Sequence, residues 1–136
     1  MNNENLKIRT KQFALEVIRL IEVLPRDRTT DVLGRQLLRS STSVGANYRA
    51  ACRAKSPADF ISKLGTVEEE ADESGYWMEL LTESGKVRPD RMKPLMQEAN
   101  ELLAITIASI NTTKKGLRTS ASARTNTPRS ALRTPH

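Results

Sequence analysis

The sequence predicts an all-α protein, an antiparallel up-down-up-down four-helix bundle followed by a disordered basic C-terminal tail. Apolar residues recur at alternating spacings of three and four, which is typical of amphipathic helices. The alternation of β-branched and aromatic residues that marks a strand is missing, and aromatics make up 4% of the 136 residues. Prolines and short polar connections divide the pattern into four helices, and short connections favour antiparallel neighbours. We expect one domain over residues 1–116, with residues 117–136 as the tail.

The first helix is predicted from about residue 7 to Leu24, where Pro25 ends it. Its apolar stripe consists of Phe13, Val17, Leu20, Ile21 and Leu24. Ala14 and Ile18 widen the apolar arc beyond one stripe. A helix that is apolar over more than one face usually has two partners. Ile18 is therefore a candidate residue of an oligomer interface.

The second helix is predicted to run from a cap at Thr29 or Thr30 to about Ala54. The hydroxyl side chains of residues 40–43 compete for backbone hydrogen bonds and could break it. The apolar phase continues across this run, so we expect one continuous helix. Ser40 and Asn47 lie at the edge of its apolar face, where they are candidates for a buried polar layer that fixes helix register.

The third helix starts at the clearest local signal in the chain. Ser56 can cap it and Pro57 suits its first turn, while Gly85 supplies the C-terminal cap after Ser84. Its apolar seam comprises Phe60, Leu64, Val67, Ala71, Ser74, Met78 and Leu81. Tyr76 and Leu80 point away from this seam. Aromatic residues beside charges are common at interfaces, so both are candidate oligomer contacts.

The fourth helix is predicted to open at Pro89 and to stop at Gly116, a common helix terminator after basic residues. Its stripe is Leu95, Ala99, Leu102, Leu103, Thr106 and Ile110. Residues 117–136 are rich in Ser, Thr, Arg and Pro. Such a segment buries too little apolar surface to offset the entropy of ordering, so we predict disorder there.

Positive charge is unevenly distributed along the chain. The net charge is +6, and residues 114–136 carry six bases and no acid, so residues 1–113 hold 16 bases and 16 acids. Arg35, Arg39, Arg49 and Arg53 fall within about 80° on the second helix. This arginine stripe could bind phosphates, or pair with the acids of the third helix. The candidate nucleic-acid-binding residues are Arg35, Arg39, Arg49, Arg53, Lys114, Lys115 and Arg118.

The residue content argues against an enzyme, a metal site and a cofactor. The only cysteine is Cys52 and the only histidine is His136, so the fold cannot build a Cys-His pair. The carboxylates of residues 68–73 invite a di-metal interpretation, but such sites in bundles need histidines on facing helices. We expect a cytoplasmic protein without a signal peptide or membrane span, with Cys52 as a small buried thiol.

Three motifs carry a family resemblance: Arg39-Ser40, the stretch from Ser43 to Tyr48, and the run from Glu68 to Trp77. Across roughly residues 7–113 the chain resembles the 23S rRNA intervening-sequence proteins. The resemblance implies a four-helix bundle that assembles as a homopentamer, with no established enzymatic activity. A related branch, the accessory variability determinant of diversity-generating retroelements, binds nucleic acid and a reverse transcriptase.

Two functions therefore follow as expectations. The first is a non-enzymatic oligomeric bundle that binds structured RNA, or RNA and DNA, through basic surfaces. The second is an oligomeric adaptor or scaffold without a nucleic-acid role. The expected partners are other copies of the chain, RNA or DNA, and a reverse transcriptase or another protein, with no membrane partner.

Overall fold

A computed structural model describes residues 3–125 and consists of four α-helices joined by short loops. They are α1 (Asn3–Glu22), α2 (Arg28–Ala51), α3 (Pro57–Glu83) and α4 (Pro89–Thr125). No strand occurs within this part of the chain. The all-α four-helix prediction is confirmed.

Side-chain contacts show that consecutive helices run antiparallel. Tyr48, near the end of α2, donates a hydrogen bond to Asn3 at the start of α1 (3.1 Å). Gly34, near the start of α2, lies against Leu24 just beyond the end of α1. Helix α1 packs on α2 and α4, and α3 packs on the same two helices, so the four form a square with α1 diagonal to α3. The α1/α2 face and the α3/α4 face are consequently on opposite sides of the bundle.

The predicted seam of α3 forms the centre of the core. Six of its seven residues are buried, and Phe60, in the first turns of the helix, is half-buried. The stripes of α1 and α4 complete the core with Phe13, Val17, Leu20, Leu95, Ala99, Leu102 and Ile110. Because residues spaced by three and four share one face of a helix, the apolar spacing alone was enough to locate these residues.

Helices α1 and α2 approach closely at Gly45. A Cβ atom on Gly45 would lie 3.3 Å from Thr10 Oγ1, so α1 and α2 are in near-backbone contact there. A Cβ on Gly65 would meet nothing within 4 Å. Gly34 and Gly75 face only the ends of flexible side chains. Among these helical glycines, close backbone packing therefore occurs at Gly45 and not at Gly65.

Two predicted helix starts are corrected. The cap of α2 is Asp27, whose carboxylate accepts hydrogen bonds from the Thr30 backbone N–H (2.9 Å) and hydroxyl (3.0 Å). Thr30 lies inside the first turn of the helix and its own backbone N–H donates to the cap, so neither it nor Thr29 is the cap. Helix α1 begins at Asn3 rather than near residue 7, because Leu6 is buried and Asn3 is tethered to Tyr48. The predicted start of α3, with Ser56 accepting from the Asp59 N–H (3.0 Å), is confirmed.

The predicted end of the fourth helix is wrong. Helix α4 passes through Gly116 and continues to Thr125, so residues 117–125 of the predicted disordered tail are helical. Residues 126–136 lie outside the described residues. Ile110 is the last buried residue of α4, and the described side chains from Lys114 to Ala123 are exposed. The last part of the helix thus extends beyond the packed bundle.

Acid should destabilise the bundle below about pH 4. The backbone N–H of Thr30 lowers the pKa of Asp27, and Lys63 lowers that of Asp59. Hydrogen bonds from Arg39 and then Trp77 lower the pKa of Glu73. A carboxyl group whose pKa is lower in the folded than in the unfolded protein stabilises the fold at pH values above the unfolded-state pKa. This stabilisation is lost as the pH falls through the folded-state pKa. We expect an unfolding midpoint that is flat from pH 7 to about 5 and drops below pH 4. A midpoint unchanged at pH 3 would contradict this account.

Candidate nucleic-acid interface

Nine bases from the four helices and the α2–α3 connection converge at one end of the bundle. The antiparallel order brings the start of α1, the end of α2, the start of α3 and the end of α4 to the same end. We call this the basic end. Its bases are Lys7, Lys11, Arg49, Arg53, Lys55, Lys63, Lys114, Lys115 and Arg118. Of the seven predicted nucleic-acid-binding residues, the fold brings together Arg49, Arg53, Lys114, Lys115 and Arg118.

The acids in the first turns of α1 and α3 are already paired, and Glu98 and Glu101 of α4 bond Arg9, which lies between Lys7 and Lys11. Glu4 bonds Lys7 at 3.4 Å, and Asp59 bonds Lys63 at 2.6 Å. Asp59 also accepts the backbone N–H of Lys55. Six other bases of this end have no carboxylate partner within residues 3–125: Lys11, Arg49, Arg53, Lys114, Lys115 and Arg118. Unpaired charges in a cluster raise the local positive potential, which attracts polyanions.

Arg39 belongs to a different environment from the rest of the arginine stripe. Its guanidinium bonds the carboxylates of Glu70 (3.1 Å) and Glu73 on α3. The hydrogen bond with Glu73, and to a smaller extent the interaction with Glu70, raises the pKa of Arg39. The Glu73 carboxylate also accepts a hydrogen bond from the Trp77 indole N–H (3.2 Å). Of the two alternatives for the stripe, pairing with acids therefore describes Arg39.

Arg35 is separated from Arg49 along the same helix. The rise of 1.5 Å per residue puts about 21 Å between the two positions. Arg35 is thus near the end of the bundle opposite the basic end. The four arginines that share one arc of the helical wheel therefore have three environments in the fold. Arg49 and Arg53 are at the basic end, Arg39 is paired with acids, and Arg35 is near the opposite end.

A groove between α1 and α2 opens beside the basic end. It is lined by Lys7, Ile8, Thr10, Lys11, Thr42, Gly45, Ala46 and Arg49. Ile8 is 58% exposed, so the groove combines an apolar side chain with three bases and no acid in its lining. Lys7, Ile8 and Lys11 were not among the predicted site residues. The four-residue spacing of the two lysines was the available signal, but only the fold places them across from Arg49.

The opposite face carries an acidic groove with an apolar floor. Two adjoining depressions between α3 and α4 share Glu79, Met96 and Asn100. Their linings add Met92, Leu103, Tyr76, Asp72 and Glu83, together with one base, Lys93, against the three acids. The Tyr76 ring is 53% exposed and packs edge-on against Trp77, with ring centroids 5.2 Å apart. We call these two surfaces the α1/α2 groove and the α3/α4 groove.

The three predicted interface residues lie on two different faces. Tyr76 borders the α3/α4 groove, and Leu80, one turn further along α3, is half-buried. Ile18 is half-buried on α1, seven residues beyond Lys11 and therefore on the same side of that helix. The set accordingly covers both sides of the bundle.

The proposed polar layer involves Ser40 but not Asn47. Ser74 on α3 donates to the Ser40 hydroxyl at 2.9 Å, and both residues are buried. The Ser40 hydroxyl in turn donates to the Leu37 carbonyl of its own helix. The Glu70 carbonyl is the alternative acceptor for the single hydroxyl proton of Ser74. Asn47 is half-buried and its amide donates to the Ser43 carbonyl in the same helix. The contact that fixes the α2–α3 register is therefore a serine pair.

Within residues 3–125 no cluster of three or more potential metal-ligating side chains is present. None of the described helices combines the length and apolar character needed to cross a membrane. Cys52 is half-buried rather than buried, at the end of α2. Burial, followed by a hydrogen bond involving Cys52, raises the pKa of the nearby Tyr48 hydroxyl.

The fold and these surfaces define an antiparallel helical bundle with a basic end and two grooves of opposite charge. The family model of the 23S rRNA-intervening sequence proteins matches residues 4–108. The chain belongs to this family. A crystal structure at 1.70 Å resolution of a protein of unknown function, from the S23 ribosomal protein family of Bacteroides thetaiotaomicron VPI-5482, is 33% identical. The similarity covers 82% of this chain and 99% of that one, with a TM-score of 0.76. No curated protein matches the chain.

Proposed function

We propose that the protein is a non-enzymatic oligomeric bundle that binds nucleic acid at its basic end. The observation that carries the proposal is the convergence of bases from the α2–α3 connection and from the end of α4 at that end. Arginine and lysine side chains neutralise backbone phosphates and release counterions, which gives affinity without sequence preference. The described part of the chain offers no aromatic side chain at the basic end for base stacking apart from the half-buried Phe60 and the buried, hydrogen-bonded Tyr48. The expected ligand is accordingly recognised by its phosphates.

The assembly is proposed to form between unlike faces of neighbouring copies. The α1/α2 groove presents Lys11 and Arg49, and the α3/α4 groove presents Asp72, Glu79 and Glu83. The grooves are on opposite sides of one bundle, so their pairing is a head-to-tail contact, which closes into a ring when the rotation between copies permits it. Charge complementarity and the exposed Ile8 and Tyr76 support this contact. The family resemblance supports five copies in the ring.

The two proposed roles use different basic residues. Arg49 and Lys11 line the α1/α2 groove and face a neighbouring copy. Arg53, Lys55, Lys114, Lys115 and Arg118 lie beyond the groove and contact nucleic acid. A cytoplasmic location, which suits the free thiol of Cys52, is part of the proposal.

Removing Arg53 and Lys55 should weaken nucleic-acid binding. For Arg53→Ala/Lys55→Ala we expect a loss of roughly threefold to tenfold in affinity, and a slope of log affinity against log salt reduced by about two. The matched control is Arg28→Ala/Arg35→Ala, which removes the same charge from exposed residues near the other end of α2. Fluorescence anisotropy with duplex DNA and structured RNA over a salt series measures both quantities.

Equal losses in the two double variants would show that net charge matters and that the basic end has no special role. If the wild-type protein bound neither RNA nor DNA at low salt, the nucleic-acid proposal would fail. A protein that formed oligomers without binding either nucleic acid would instead favour the adaptor function. The specific observation in favour of that alternative is the apolar floor of the α3/α4 groove.

A further inference from the structure

The end of α4 forms a helical arm that no other helix within residues 3–125 accompanies. Gly75 of α3 faces Met96 of α4. The two helices are antiparallel, so counting back along α3 from Gly75 to its first residue, Pro57, corresponds to counting forward along α4 from Met96 to Lys114. Pro57 and Lys114 are therefore at the same level. Residues 114–125, which we call the arm, therefore project past the bundle by roughly 17 Å at 1.5 Å per residue. The family match ends at residue 108, so the arm lies outside the matched region.

The arm has a narrow, positively charged surface. Its described side chains are exposed, and most of them are small: Gly116, Thr119, Ser120, Ala121, Ser122 and Ala123. Lys114, Arg118 and Lys115 fall within an arc of about 100° on a helical wheel. The last acid of the whole sequence is Glu101. The arm is thus a slim helix with bases along one side and no acid to repel a polyanion.

We propose that the arm binds in the major groove of B-form duplex DNA. This inference rests on the proposed nucleic-acid function and specifies its ligand. The major groove is about 12 Å wide and admits an α-helix, whose diameter is about 10–12 Å. Small side chains allow close entry, while Lys114, Lys115 and Arg118 reach the phosphates at the groove edge.

Duplex RNA does not offer the same site. The A-form major groove is deep and narrow, so a helix cannot enter it. Arg53 and Lys55 can still contact RNA phosphates, since phosphate contacts need no particular groove. The arm should therefore distinguish the two duplexes, whereas the rest of the basic end should not.

Two substitutions at Gly116 test whether DNA binding requires the arm to be helical or only requires its positive charge. Gly116→Pro keeps every base but breaks the helix at the root of the arm, beyond Ile110, the last buried residue of α4. Gly116→Ala favours the helix and is sterically allowed, because a Cβ at this position meets nothing within 4 Å. Both variants of the full chain should keep the wild-type unfolding midpoint. The probes are a short duplex DNA and the duplex RNA of the same sequence.

For duplex DNA we expect Gly116→Pro to lower affinity by about tenfold and Gly116→Ala to retain it or raise it by up to about fivefold. For duplex RNA both variants should stay within about twofold of the wild type. Equal DNA binding by the proline and wild-type proteins would overturn the inference, as would an equal loss for RNA. In either case RNA binding that is sensitive to Arg53→Ala/Lys55→Ala would leave the proposed function standing. Absence of binding to both duplexes by the wild type would overturn both.

Discussion

Replacing Leu64 by alanine is expected to lower the free energy of unfolding by about 2–5 kcal/mol. Leu64 is 1% exposed, on α3, the helix that packs against both α2 and α4. Truncating the isobutyl group removes the favourable free energy of transferring its atoms out of water. It also leaves a cavity, because the surrounding side chains belong to several packed helices that cannot all move in to fill it. Chemical denaturation monitored by circular dichroism measures the change.

Two controls define that result. Leu64→Met keeps the volume in a more flexible shape and should cost less than about 1.5 kcal/mol. Val32→Ala changes a side chain that is 53% exposed and should stay within about 0.5 kcal/mol. A Leu64→Ala variant as stable as Val32→Ala would mean that the seam of α3 is not the centre of the core.

Most of the fold could be predicted because its signals are local. The start of α3 depends on Ser56, Pro57 and Asp59, which lie within four residues of one another. The seam depends on apolar spacing within one helix. The left-handed conformation of Gly85 (φ 79°) after α3 follows from the fact that glycine adopts positive φ without steric cost. Each of these features is determined without knowledge of a neighbouring helix.

The errors occurred where a distant contact or competing local signals decided the outcome. Thr29 and Thr30 are acceptable caps by residue type, but so is Asp27, whose carboxylate accepts from both the N–H and the hydroxyl of Thr30. At the end of α4, Gly116 resembles a helix stop, yet the open space around it gives the chain no steric reason to turn there. A single segment of sequence shows the local preference of a residue for a helix end, but not which other parts of the fold lie around that residue.

The candidate site was only partly predictable for the same reason. A helical wheel gives the angle of each arginine about α2 but not the helix that lies beside it. The Ser40–Ser74 contact sets the register of α2 and α3, and this register places Arg39 beside Glu70 and Glu73. Lys7, Lys11 and Lys55 join the basic end through antiparallel packing, which no single segment encodes.

Changing Tyr76 to lysine should convert the assembly to monomers. The substitution puts a positive charge at the edge of the α3/α4 groove, where the proposed contact brings Lys11 and Arg49 of a neighbouring copy. Like charges facing each other at an interface cost several kcal/mol, which is enough to dissociate an assembly of ordinary affinity. The isolated bundle should tolerate the change, because Tyr76 is largely exposed and the new lysine lies near Glu73 on the same helix. Light scattering coupled to size-exclusion chromatography gives the mass directly.

The matched control is Val32→Lys, which adds the same charge at an equally exposed position outside both grooves. We expect this variant to keep the wild-type mass, and Lys11→Glu, which places an acid opposite the acidic groove, to dissociate as Tyr76→Lys does. If Tyr76→Lys retained the wild-type mass, the α3/α4 groove would not be a subunit contact, even if the protein were oligomeric. If the wild type itself had the mass of one chain at micromolar concentration, the ring would be excluded. Nucleic-acid binding would then depend on the basic end of a single bundle, whose few phosphate contacts predict a weak and strongly salt-sensitive complex.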